Sequence, residues 1–201
     1  MPRGLKRFQK AESLHFLTFR CFHRLALLET AGAPETIEAV LEQTRARHQA
    51  RIYAYVLMPE HVHLLVNEPP QIVLAQFLKA AKKMTSRRLR GPREMFWQNR
   101  CYDSNVRGEK ARSEVIRYIH RNPVKRGLVE RPVDWPWSSF RHYTSGVKGA
   151  VEIESQWTAA RRGNQLPEGV ALRKGERSCF PTQAANDAAW MGHNPSRGNR
   201  K

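Results

Sequence analysis

Between Ile52 and Asn67 the chain runs through two apolar, β-favouring stretches, Ile-Tyr-Ala-Tyr-Val-Leu-Met and His-Val-His-Leu-Leu-Val-Asn, separated only by Pro59-Glu60. Strands joined by so short a link pair as an antiparallel hairpin, because a parallel partner needs a long crossover. The fixed φ of Pro59 suits the second position of a type I turn better than a primed turn. Whatever else the chain builds must be arranged around this hairpin.

The remaining patterns supply its neighbours. Leu14 to Phe19 is aromatic-rich and reads as a strand entering a sheet. Pro34 to Ala50 places Ile37, Val40, Leu41 and Thr44 at helical spacing, with a proline near the start where a helix tolerates it. After Pro69-Pro70, Ile72 to Leu89 repeats the helical pattern through Leu74, Leu78, Ala81 and Leu89, while Lys79, Lys82, Lys83, Arg87 and Arg88 crowd the other faces. Trp97 to Val106 reads as a fourth strand, and Glu109 to Arg121 as a third helix ended by Asn122-Pro123, since a residue before proline is pushed out of helical geometry. The order β-α-β-β-α-β-α is that of a split βαβ, ferredoxin-like α+β fold with an added helix, an antiparallel sheet with helices packed on it. Trp135, Trp137 and Phe140 are expected to pack back on the body.

Two hundred and one residues allow one ordinary domain plus a tail. Residues 1–145 are expected to form that domain. From 146 to 201 the periodicity fades among scattered Gly, Pro, Asn and Arg, which reads as a basic, flexible C-terminal tail. Lys and Arg number 35 against 18 Asp and Glu, a net charge of +17 that points to a polyanionic partner. Charges throughout the first twenty residues, and no apolar run long enough to span a bilayer, favour nucleic acid over lipid and a cytoplasmic, nucleoid-associated setting. Cys21, Cys101 and Cys179 stand in no Cys-x-x-Cys spacing, which argues against a disulfide framework or a cysteine zinc site.

The chemistry centres on His61-Val62-His63. Alternate residues of a strand share a face, so the two imidazoles lie side by side while Val62, Leu64 and Val66 face a core. Two imidazoles placed in this way can share one metal ion. Taken alone, such a pair is more often a pair of ordinary half-exposed strand histidines. On the third predicted helix Tyr118 and Asn122 are one turn apart and so share a face. Tyr118 alone would more often be core, on a stripe with Val115 and Ile119, yet Arg117, Arg121, Lys125 and Arg126 surround it in sequence. A phenol is mostly protonated at neutral pH, and nearby positive charge favours the phenolate needed for attack on phosphorus.

Three strings occur in order: Tyr55-Val-Leu-Met-Pro-Glu-His-Val-His-Leu-Leu-Val66, Tyr118-Ile-His-Arg-Asn-Pro-Val-Lys-Arg-Gly-Leu-Val129 and Trp135-Pro-Trp-Ser-Ser-Phe140. Together they resemble the REP-associated tyrosine transposases of the HUH single-tyrosine superfamily, over about Leu14 to Tyr143. The resemblance implies a ferredoxin-like core with Tyr118, His61 and His63 as the catalytic residues. It implies Mg²⁺ or Mn²⁺ held by His61, His63 and a polar residue of the tyrosine helix, here Asn122; His120 projects from a different part of that helix. Tyr118 would cut single-stranded DNA through a 5′-phosphotyrosine intermediate and rejoin it, the substrates being hairpin-forming palindromic repeats and the protein a monomer or homodimer. Lys82, Lys83, Arg87, Arg88, Arg121, Lys125 and Arg126 are the candidates for a basic groove along the strand. Glu60 departs from the asparagine frequent at that place in the family and reads as a solvated turn carboxylate.

Two other functions fit less well. A non-catalytic protein that binds palindromic repeats would share the fold and charge, but all three key side chains are present. A histidine-metal hydrolase of small molecules on a barrel needs about 250 residues, and this chain is shorter and too basic.

Overall fold

The structure, a computed structural model, describes residues 13–92 and 95–163. Four strands, β1 (Leu14–Cys21), β2 (Ile52–Met58), β3 (His61–Asn67) and β4 (Trp97–Val106), form one sheet in the order β2-β3-β1-β4. Every neighbouring pair is antiparallel. β1 and β2 therefore run the same way with β3 between them, which is the split βαβ, and α1 (Ala33–His48) and α2 (Leu74–Leu89) are its crossovers. The Pro59-Glu60 turn closes the β2–β3 hairpin with Met58 opposite His61, and neither turn residue takes a positive φ, so the turn is not a primed one.

The alternation anticipated for β3 holds. Val62, Leu64 and Val66 join Leu17, Phe19 and Cys21 of β1 and Tyr55 and Leu57 of β2 in one core, covered by Ile37 and Leu41 of α1 and Phe77 and Leu78 of α2. Helix α3 (Gly108–Lys125) lies over the opposite face, packed on β2 and β3 through buried Ile116 and Ile119. β4 keeps its full length despite Asp103-Ser104-Asn105, because Asp103 Oδ1 lies 2.9 Å from the buried His15 Nδ1 and so gives that face a polar partner.

Two expectations are corrected. Helix α3 does not stop at Arg121 but runs through Pro123 to Lys125. Pro123 removes one N–H in the last turn, while Arg126 N donates to Asn122 O at 3.0 Å and Leu128 N to Pro123 O at 3.0 Å. With Asn122 and Pro123 both buried, packing holds the residue before proline helical against its local preference. The body also extends past 145, to Gly163. Val151 and Ile153 belong to the core, Ile153 bridges Ile52 at the β2 edge, and α4 (Phe140–Ser145) and α5 (Gln156–Arg162) flank this segment. The tail expected from 146 thus begins at 164 at the earliest, and residues 164–201 lie outside the described residues. Trp137 packs against the core and Trp135 Nε1 donates to Leu57 O at 2.9 Å, while the Phe140 ring lies edge-on to His120. No helix among the described residues is long and apolar enough to cross a membrane.

Candidate active site

The face under α3 carries His61 and His63 of β3, Phe16 and Thr18 of β1, and Tyr118 of α3. Thr18 is the register partner of His63, and Phe16 is one pleat further along β1. The histidines are buried, at 6% and 5% exposure, and so differ from ordinary half-exposed strand histidines. Their Nε2 atoms face each other at 3.0 Å. Tyr118 is 40% exposed and does not belong to the core stripe of its helix. Its ring stands edge-on to His63 at 5.4 Å between centroids and to Phe16 at 5.7 Å, while Phe16 stacks on His63 at 5.4 Å. A histidine pair on a central strand and an accessible phenol on a helix are thus brought into contact by an aromatic cluster.

The outer nitrogens of the two rings are engaged. His61 Nδ1 lies 3.1 Å from Glu60 Oε1, and Arg126 Nη1 donates to the same oxygen at 2.8 Å. Glu60 is therefore not a solvated turn carboxylate; it ties His61 to the end of α3. His63 Nδ1 lies 2.7 Å from Thr18 Oγ1. Because a carboxylate only accepts, the His61 proton sits on Nδ1 and leaves Nε2 with a bare lone pair. His63 then has two settings. With the Thr18 hydroxyl donating to Nδ1, His63 Nε2–H donates to His61 Nε2; with Thr18 accepting, both Nε2 lone pairs converge and repel unless a cation lies between them.

Burial pushes His63 down to about 3, with the charges of His61 and Arg20 acting in the same direction. Burial also lowers His61, partly opposed by Glu60. For Glu60, burial would raise the carboxyl, but the Arg126 hydrogen bond and the charges of His61 and Arg126 outweigh it and hold it below the usual range. Both imidazoles are neutral at physiological pH, the state a metal requires. Two cis donors about 2.1 Å from an octahedral ion stand about 3 Å apart, so the 3.0 Å Nε2 spacing fits such an ion. The carboxylate and hydroxyl behind the rings are the partners that ordinarily orient ligating histidines. Among the described residues no group of three His, Cys, Asp and Glu side chains is placed to hold a metal, so among them a third protein donor would have to be of another kind. Asn122, buried and one turn after Tyr118, is of that kind, although no described hydrogen bond joins it to either histidine.

The expected DNA-contacting cations do not form one groove. Arg121, Lys125 and Arg126 lie at the C-terminal end of α3, with Lys125 Nζ 5.1 Å from the Tyr118 ring centre. Lys82, Lys83, Arg87 and Arg88 are on α2, across the sheet, where Arg88 Nη2 donates to Gln43 Oε1 at 3.1 Å. Sequence reasoning missed Thr18, Phe16 and the exposed Arg20, which lies opposite His61. Alternation along β1 groups these three on one face, but which β3 residue each meets depends on strand register.

A family model for IS200-like transposases matches residues 11–122. The chain belongs to that family. It is 30% identical over 112 residues to a Haemophilus influenzae protein assigned to the REP-associated tyrosine transposases, covering 49% of this chain and 64% of that one. It is 29% identical over 127 residues to the Escherichia coli REP-associated tyrosine transposase, covering 62% of this chain and 74% of the relative. The chain thus spans just under two thirds of the first relative's length. Among solved structures, a REP-associated tyrosine transposase bound to a REP hairpin superposes with a TM-score of 0.63 at 23% identity, covering 76% of this chain and 92% of that one. That likeness confirms the α+β fold of this IS200-like family member.

Proposed function

We propose that this member of the IS200-like transposases is a metal-dependent single-stranded DNA endonuclease and strand transferase acting on hairpin-forming repeat DNA in the cytoplasm, on the nucleoid. The observation that carries the reading is the contact of an exposed tyrosine with a buried, neutral histidine pair whose Nε2 atoms converge. The Tyr118 oxygen attacks a backbone phosphorus as its proton leaves. The P–O3′ bond breaks, the released 3′ oxygen takes up a proton, and the 5′ phosphate stays on the tyrosine. Attack by a 3′-hydroxyl reverses these steps and rejoins the strand, so no water or nucleotide is consumed. Lys125 beside the phenol and Arg20 beside His61 stabilise negative charge at the phosphate. Mg²⁺ or Mn²⁺, held by His61, His63 and Asn122 with phosphate and water oxygens, would polarise the scissile phosphate. Hairpin DNA as substrate rests on the family resemblance and on the hairpin bound by the solved relative.

The test compares the purified protein with Tyr118→Phe on labelled single-stranded hairpin DNA, with Mg²⁺ or Mn²⁺ and with chelator, on a denaturing gel. A cleaved strand and a protein-linked fragment are expected with metal and with Tyr118 alone. Binding without cleavage across several hairpins and both metals would instead identify a non-catalytic DNA-binding protein.

A further inference from the structure

Helix α3 packs on β2 and β3, at one side of the sheet. The β1 and β4 side of the same face stays open beside Tyr118, where Arg20 of β1 and Tyr102 of β4 are exposed. Tyr102 pairs with Thr18, and Ser104 with Phe16. Side chains directly opposite across antiparallel strands share a face, so Tyr102 stands on the histidine side. At 55% exposure it is the most open Phe, Tyr or Trp among the described residues. Its aromatic neighbour is Phe16, edge-on with centroids 6.1 Å apart, and the same Phe16 ring meets Tyr118 and His63. Phe16 thus joins the proposed nucleophile and metal ligand at one end of the cluster to a solvent-facing ring at the other.

A single exposed aromatic residue is ordinary on a protein surface; the position of this one is not. His63, Thr18 and Tyr102 sit side by side on β3, β1 and β4, which sets the Tyr102 backbone two strand spacings, about 10 Å, from that of His63. A phosphate and the base of a neighbouring nucleotide span a distance of that order. The open surface between them offers a guanidinium, Arg20 opposite His61, and a flat ring. A single DNA strand answers both, because its phosphates are anionic and its unpaired bases have free faces to stack. A duplex covers those faces with neighbouring pairs, and an acidic peptide would satisfy the arginine but leave the ring bare.

We propose that Tyr102 is a base-stacking residue of the cleavage site: with the phosphate to be cut lying against Tyr118 and the histidine pair, an unpaired base flanking it lies flat on the Tyr102 ring and fixes the register of the strand. The stacking site rests on the reading that the substrate is single-stranded DNA.

The test measures binding by fluorescence anisotropy, with full-length Tyr118→Phe protein and labelled hairpin oligonucleotides that carry single-stranded flanks. Adding Tyr102→Ala should weaken binding about 5–150-fold, the loss that follows removal of one base–aromatic stack. Adding Tyr102→Phe, which keeps the ring, should leave affinity unchanged. A series of oligonucleotides then moves one abasic site along the flanks. At one position the missing base should weaken binding to the protein with Tyr102 and cost nothing further in Tyr102→Ala, because the two changes remove the same contact. Equal affinity of Tyr102→Ala and its parent, or losses that simply add at every abasic position, would overturn the stacking. The wild-type cleavage assay, run beside these, separates the two readings. A coupled position adjoining the cut supports the proposal, and one remote from it overturns it. Cleavage without any effect of Tyr102 removes the stacking alone, coupling without cleavage supports the stacking and removes the catalytic reading, and failure to bind any single strand removes both.

Discussion

At the scale of single residues, the histidine pair and the tyrosine were legible because each rests on local periodicity. Alternation put His61 and His63 on one face, and basic neighbours in sequence marked Tyr118. Their partners were not legible in the same way. Thr18 reaches His63 through the pairing of β1 with β3, a register set by two strands distant in sequence. Glu60 was visible, but its burial depends on Arg126, which reaches it because α3 continues past Pro123. Glu60 accepts from His61 on the ring edge away from Nε2, so in the proposed metal site it would orient His61 and not bind the ion. Removing such a partner ordinarily costs about 10–100-fold in metal affinity. Glu60→Gln in the Tyr118→Phe background is therefore expected to raise the Mn²⁺ dissociation constant by about that factor, read by calorimetry or by Mn²⁺ paramagnetic resonance. An unchanged constant would leave Glu60 without a part in metal binding.

At the scale of elements, the order and type of strands and helices followed from pattern, and the ends of elements from packing that pattern does not contain. Helix α3 is the instructive case, because local preference ended it at Asn122 whereas burial of Ile119, Asn122 and Pro123 carried it on. Its inward side also holds His120, whose Nε2 lies 2.8 Å from Ser139 Oγ, and Ser139 Oγ accepts from Tyr55 N of β2 at 3.0 Å. Burial, helped by the charge of His142, pushes His120 down to about 3. An unfolded histidine titrates near 6.5, so between those values the unfolded chain binds a proton that the folded chain refuses. This contribution to stability is complete above about pH 6.5 and is lost as pH falls towards 3, by up to about 1.4 kcal/mol per pH unit. His63, depressed to the same range by burial, adds a share of the same sign. Thermal unfolding followed from pH 7 to pH 4 should show the midpoint dropping, and dropping less steeply in His120→Gln. Equal slopes in the two proteins would assign the acid sensitivity to other groups.

At the scale of the whole molecule, the segment after Ser145 decides where the folded body ends. It looked like tail because scattered apolar residues and a single-residue bridge leave no period to detect. In the fold Val151 and Ile153 are almost wholly buried, Glu154 N donates to Ile52 O at 2.7 Å, and His142 Nε2 meets Ser155 Oγ at 2.7 Å. The segment thereby covers the start of β2, an edge strand of the sheet, while Trp137 O and Ser138 cover the middle. Burying a Val or Ile side chain is worth about 1.5–3 kcal/mol, so ending the chain after Ser145 should cost about 3–6 kcal/mol, a large part of the roughly 5–15 kcal/mol that holds a domain together. It also bares the backbone of Ile52 at an edge, an invitation to pair with another chain. Truncation after Ser145 is thus expected to lower the melting temperature steeply and to shift the protein towards self-association on size exclusion. Truncation after Gly163 keeps every one of these contacts and should do neither. If both truncated proteins melted alike and stayed the same size, the bridge to Ile153 would contribute nothing to the fold, and the body would end with α4.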